Sequence, residues 1–199
     1  AELRFNRSND FDVANVISGT GVISKAGAGR MNIQGDNSGA ARTWNFAGTG
    51  NGDIGFTNAN SVGASGSKIT VQDGGVGSFF FYSSQTTGVD MEIGAGGELA
   101  WNGSTGASYT GTGLISGDGD FRKQSGSTLT LTGNNTYKGQ TLVDTGTLIV
   151  NGDQSAATGA VTVASESTLA GSGTIGGSTT IESGAFLNPG NSPGILSFA

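Results

Sequence analysis

Leucine returns at positions 129, 148 and 169, within "TLTL", "TLIV" and "STLAG", at steps of 19 and 21 residues. A period of about 20 residues is that of a solenoid, in which one small unit stacks on the next. No long segment carries apolar residues at helical spacing. Each turn of the solenoid therefore has to be built from strands alone, which is the definition of a parallel β-helix.

A larger repeat encloses the short one. "ISGTGVISKAGAGRMNIQGDN" from Ile17 aligns without a gap on "ISGDGDFRKQSGSTLTLTGNN" from Ile115, an offset of 98 (115 − 17). Identities fall at Ile17/Ile115, Ser18/Ser116, Gly19/Gly117, Gly21/Gly119, Lys25/Lys123, Gly35/Gly133 and Asn37/Asn135. The text divides into 1–114, less regular and richer in aromatics, and 115–199, with regular coils, along one continuous solenoid.

The alternation sets side-chain direction. "TLTLT" sends Leu129 and Leu131 inward and its threonines outward, and "TLIV" sends Leu148 and Val150 inward. Glycine, 38 of 199 residues, supplies left-handed corners, and the Asn134 and Asn135 amides suit the same corners, where they can bond from coil to coil. About ten coils at ~4.8 Å per coil make a rod roughly 45 Å long. Trp44 and Phe46 share one face, and Phe79 and Phe81 another. Phe80 and Tyr82 then point outward, either as a partner-contact pair or beneath a loop or a wider coil.

The residues of the second half resemble the passenger-associated repeat of bacterial autotransporters. Gly117, Gly119, Lys123, Leu129, Leu131, Gly133, Asn135, Tyr137, Gly139, Thr141, Val143, Gly146, Leu148 and Val150 fit that pattern, while Ser125 and Ser127 stand where it prefers glycine. The closing Pro189, Gly190, Ser192, Pro193 and Gly194 match a turn found in the same proteins. The resemblance covers about 115–199, is partial over 17–37 and weak between. It implies a right-handed parallel β-helix on the outer surface of a Gram-negative cell. It also implies a passenger fragment whose full-length protein is anchored by a C-terminal β-barrel. The family's roles are mostly adhesion to a host-cell surface or glycan, self-association and biofilm formation, and its repeat coils can assist passenger folding during secretion.

Composition narrows the chemistry. Neither Cys nor His is present, so thiolate and imidazole metal sites, a cysteine nucleophile and a Ser-His-Asp triad are all excluded. Absence of cysteine suits export in an unfolded state, or is chance in a chain rich in small residues. Nine basic against fifteen acidic residues give a net charge of −6, which argues against nucleic acid as partner. No run approaches the ~20 apolar residues of a membrane span.

Asp118 and Asp120, placed on one strand face beside Arg122 and Lys123, are the one constellation a polysaccharide-acting, pectate-lyase-like β-helix enzyme would use. The same residues are ordinary turn chemistry. The expectation is therefore a stalk or adhesin scaffold with no catalytic, metal or cofactor site. Outward threonines raise ice templating, but the later coils break the pattern, and "GTGNG" from Gly48 resembles a phosphate loop only in composition.

Overall fold

A computed structural model describes residues 1–47, 52–190 and 194–199. Its spine is a nine-stranded parallel sheet with one strand per coil: Phe11–Val13, Met31–Ile33, Gly52–Phe56, Val76–Phe81, Glu98–Gly103, Asp120–Lys123, Thr141–Val143, Val161–Val163 and Thr179–Ile181. A six-stranded sheet runs beside it from Glu2–Asn6 to Ile115–Gly117. A second six-stranded sheet runs from Gln85–Thr87 to Phe186–Pro189, and a three-stranded sheet begins at Asp153–Gln154. Every strand pair among the described residues is parallel. Among the described residues the chain is a β-solenoid of nine coils, close to the ten or so expected, and its one described helical feature is the short 3-10 turn Ala59–Val62.

The core follows from register. Leu129, Leu148 and Leu169 pair directly across three coils, as do Leu131, Val150 and Gly171. All three leucines are buried, and each removes apolar surface worth about 1.5–3 kcal/mol. Towards the N-terminus the stack becomes aromatic. Trp44 meets Phe56 at 5.2 Å, Phe56 meets Phe81 at 5.6 Å, Phe81 meets Trp101 at 5.4 Å, and Trp101 meets Tyr109 at 6.4 Å. The Trp44 indole N–H donates to the Val62 carbonyl at 2.7 Å.

Two glycine columns mark where coils turn. Gly113, Gly133, Gly152 and Gly173 form one; Gly119, Gly139, Gly159 and Gly177 form the other. From the second member on, a Cβ would strike the carbonyl oxygen of the glycine one coil earlier. These glycines have no left-handed φ, so they serve a second purpose beside the left-handed corners expected of glycine. Close backbone approach selects them. Left-handed corners exist as well, and Gly27 (φ 77°) and Ser125 (φ 71°) occupy one such corner in the two copies of the 98-residue unit. The serine where the passenger pattern prefers glycine is thus a strained replacement, held by a hydrogen bond from the Gly103 N–H to its hydroxyl.

The duplicated lysines and asparagines are internal. Lys25 and Lys123 are buried beneath their corners, and each ammonium donates to the carbonyls of the two residues that follow it. Lys123 also reaches Thr145 O in the next coil, at 3.2 Å. Asn37 and Asn135 accept the N–H of Ile17 and Ile115 from the preceding coil, at 2.9 and 2.8 Å. Asn37 donates onward to Ser61 O, joining three coils. The inter-coil amide bonds expected at the asparagines therefore exist, but they run from side chain to backbone.

Burial pushes the Lys123 ammonium down to about 8 and displaces Lys25 in the same direction, with Asp53 and Asp10 partly opposing the latter. Burial raises the Tyr137 phenol to about 12, against a hydrogen bond with Thr141.

Corner geometry predicts opposite outcomes for two substitutions. Gly139→Ala forces a methyl into a backbone carbonyl and should cost about 3 kcal/mol. Glu166→Gly relieves a left-handed glutamate (φ 64°) and should stabilise by about 1 kcal/mol. Urea unfolding of both variants beside the parent measures each, and a neutral Gly139→Ala would refute close approach as the constraint.

The titrating groups predict a stability maximum in alkali. The folded state releases the Lys123 proton near pH 8, whereas the unfolded chain keeps it to the ordinary 10.5. Unfolding between these values takes up a proton, so stability rises with pH. Tyr137 acts oppositely, because the unfolded phenol ionises near 10 and the folded one near 12, so stability falls above pH 10. Unfolding series from pH 7 to 11 should show a smaller rise in Lys123→Met, with the remainder due to Lys25, and should lose the fall in Tyr137→Phe.

Candidate functional site

The outward face of the nine-stranded sheet carries a cluster of aromatic, charged and amide side chains around Val76–Phe81. Alternation buries Phe79 and Phe81 and turns Phe80 outward, as the sequence implies. Phe80 is half-buried, and Tyr82 follows at 39% exposure. Phe80 and Tyr82 meet edge to face at 4.7 Å, and the Arg30 guanidinium lies 4.9 Å from the Phe80 centroid.

Each member of this group is held from behind. Arg30 pairs with Asp53 at 3.0 Å. The Tyr82 hydroxyl donates to Asn32 Oδ1 at 2.7 Å, and Asn32 donates to Asp12 at 2.9 Å. Tyr82 can fold back this way because Gly55 lies beneath it, where a Cβ would meet its ring at 2.9 Å. Burial pushes the Arg30 guanidinium towards neutrality, but Tyr82 and Asp53 more than offset it, so its pKa is raised.

Register places small residues beside this platform. Asp53, Ser78, Ala100 and Arg122 form one row across four coils, and Gly55, Phe80 and Asn102 form the next. The result is a trough of ≈ 370 Å³ lined by Arg30, Asp53, Ser78, Phe80, Glu98, Asn102 and Gln124 among others. That volume lies within the usual range of small-ligand sites. On its far side Arg122 donates to Glu98 at 2.9 Å and to Asp144 at 2.7 Å. Glu98 and then Asp144 raise the Arg122 pKa against its burial, keeping it charged. Asn102 donates to Ser78 Oγ at 2.7 Å and to Gln124 Oε1 at 3.2 Å.

Phe80 and Tyr82 were legible from alternation. Arg30, Asp53, Asn102 and Arg122 were not, because they converge only through register.

Other expectations resolve differently. Asp118 lies in a bend before the strand Asp120–Lys123 rather than beside Asp120 on it. The Asp120 carboxylate accepts the Gln140 N–H at 2.7 Å, which is a coil-to-coil corner contact. Arg122 faces outward and Lys123 inward, so the adjacent cations serve different sides of the sheet. Among the described residues no group of three or more His, Cys, Asp or Glu is placed to hold a metal.

The hydroxyl ladder is longer than the text suggests. Ser108, Thr128, Thr147 and Thr168 stack in one outward row, and Thr86, Thr110 and Thr130 in the next, which ends at Ile149. Gly48 to Asn51 of the "GTGNG" stretch, and Ser192 and Pro193 of the closing turn, lie outside the described residues.

No protein-family model and no solved structure matches the chain. Among curated proteins, 85 residues are 42% identical to the adhesin BmaC autotransporter of Brucella suis biovar 1 (strain 1330), over 43% of this chain and 2% of that protein. The chain thus spans a small fraction of the length of the curated relative it matches. The likeness covers 85 residues of a chain that folds as a β-solenoid. No described helix is long and apolar enough to cross a membrane.

The ion pairs of this face should contribute little to stability. Arg122 and Glu98 keep about a quarter of their side-chain surface exposed, at 27% and 26%, and solvent screening limits such pairs to about 1 kcal/mol or less. A double-mutant cycle on Arg122→Ala and Glu98→Ala should give a coupling in that range, shrinking as salt is raised.

Proposed function

We propose that the chain is a segment of a surface-displayed autotransporter passenger, serving as stalk and as adhesive scaffold. The shared sequence with an autotransporter adhesin carries this reading. The nine-coil rod supports it. Each coil adds its hydrogen bonds and apolar rows to the coil before it, so stability accumulates along the rod. Such a rod holds contact residues away from the cell, and its stepwise folding outside would favour export. The Phe80–Tyr82 platform is the contact surface in this proposal, towards a host-cell surface, a glycan or a second copy.

A polysaccharide-acting enzyme is the competing class, since the trough carries carboxylates, arginine and an aromatic ring. Both of its carboxylates, Asp53 and Glu98, are engaged by guanidinium groups. That arrangement suits recognition better than proton transfer.

Beads coated with the purified chain test the adhesive part. They should adhere saturably to cultured cells or clump with one another, and sedimentation velocity should report any self-association. Dispersed, non-adherent beads together with a monomer would reject adhesion and leave a stalk. Release of reducing ends or unsaturated products from a polysaccharide panel would favour the enzyme instead.

A further inference from the structure

The geometry points to the trough between Phe80 and Glu98 as a binding site for a neutral oligosaccharide laid along the rod axis. This rests on the adhesive reading above and gives it a ligand class and a place.

Shape comes first. The floor is made of Ser78 and Ala100, on neighbouring coils. The row that contains them runs from Asp53 to Arg122 over three coil steps, about 14 Å at ~4.8 Å per step. The walls are Phe80 with Arg30 on one side and Glu98, itself held by Arg122, on the other. A trough of this length open along the rod admits a linear chain of rings.

Polarity comes second. The surviving hydrogen-bonding groups are of both kinds. Asn102 uses its amide hydrogens on Ser78 and Gln124, so its Oδ1 remains as acceptor and the Gln124 Nε2 as donor. Asp53 engages Arg30 through Oδ2 and leaves Oδ1; Glu98 engages Arg122 through Oε2 and leaves Oε1. Sugar hydroxyls donate and accept at once, which is what a mixed set of this kind requires. The C–H face of a pyranose is the natural companion of the Phe80 ring, whose position Arg30 and Tyr82 fix in advance.

Charge comes third. Arg30 is matched by Asp53, and Arg122 by Glu98 and Asp144. Two guanidinium groups against three carboxylates leave no uncompensated cation in this set for a sulfated or uronic acid chain, and the single surplus negative charge is shared across Arg122 by Glu98 and Asp144. A peptide strand fits poorly, because the ladder partners on both sides of Val76–Phe81 and Glu98–Gly103 occupy their main-chain groups.

The test is a glycan array probed with the purified chain, followed by calorimetric titration of the best neutral ligand. Binding should be strongest to neutral oligosaccharides. Phe80→Ala and Ser78→Glu should each weaken it at least about tenfold, the scale of one aromatic or one blocked contact. Thr162→Ala, on the same sheet face three coils beyond Ala100, should bind as the parent. Ser78→Glu fills the floor without touching the core, so its loss of binding is not a folding effect, and circular dichroism melts confirm that.

Preference for acidic glycans, no neutral glycan bound, or unchanged binding in both trough variants would each overturn the inference. Coated beads separate the two failures. Adhesion that survives enzymatic removal of cell-surface glycans leaves the adhesive reading standing and rejects this one, whereas no adhesion to any cell rejects both.

Discussion

Everything in this molecule depends on how closely one coil lies on the next. A parallel ladder fixes the separation at ~4.8 Å along the strands, and the corners have to keep the same step while the chain turns. At Gly133, Gly152 and Gly173, and again at Gly139, Gly159 and Gly177, the backbone comes so near the preceding glycine carbonyl that no β-carbon fits. The passenger-type pattern acquires a physical reading from this. Gly119, Gly133 and Gly139 are close-approach positions; Gly117 and Gly146 are left-handed corners. Leu129, Leu131, Leu148 and Val150 are core rows, Lys123 ties a corner, and Asn135 stitches a coil to its predecessor.

Regular alternation made the core readable in advance. Leu129, Leu131, Leu148 and Val150 lie inside, as do Trp44, Phe46, Phe79 and Phe81. Two kinds of residue escaped. Lys25 and Lys123 are buried cations, and composition alone places lysine on the surface. Their repetition at the 98-residue offset was the available signal, since each occurs at an inward position immediately before a corner. The trough escaped for a different reason. Coil length varies: Ile54 pairs with Phe79, 25 residues on, whereas Phe121 pairs with Thr141, 20 residues on. A fixed period slips by several positions over such coils and scatters Arg30, Asp53, Ser78 and Arg122 that the ladder brings together. The same slippage hid the row of Ser108, Thr128, Thr147 and Thr168.

The division of labour between inside and outside is compatible with the contact surface proposed above on so plain a scaffold. The apolar rows, the ladder and the internal lysine and asparagine ties stabilise the rod without help from the outer face. The outer ion pairs are screened and contribute little, so Arg30, Asp53, Glu98 and Arg122 are free to be arranged for contact. Their arrangement is nonetheless rigid, because each is fixed by a neighbour one coil away and the coils themselves do not slide. A surface ordered by a stable framework loses little conformational entropy when a ligand arrives. A solenoid therefore suits recognition of an extended chain: it repeats floor and walls at a constant step, while substitution at a few outward positions, such as Phe80 and Tyr82, sets what the chain must be.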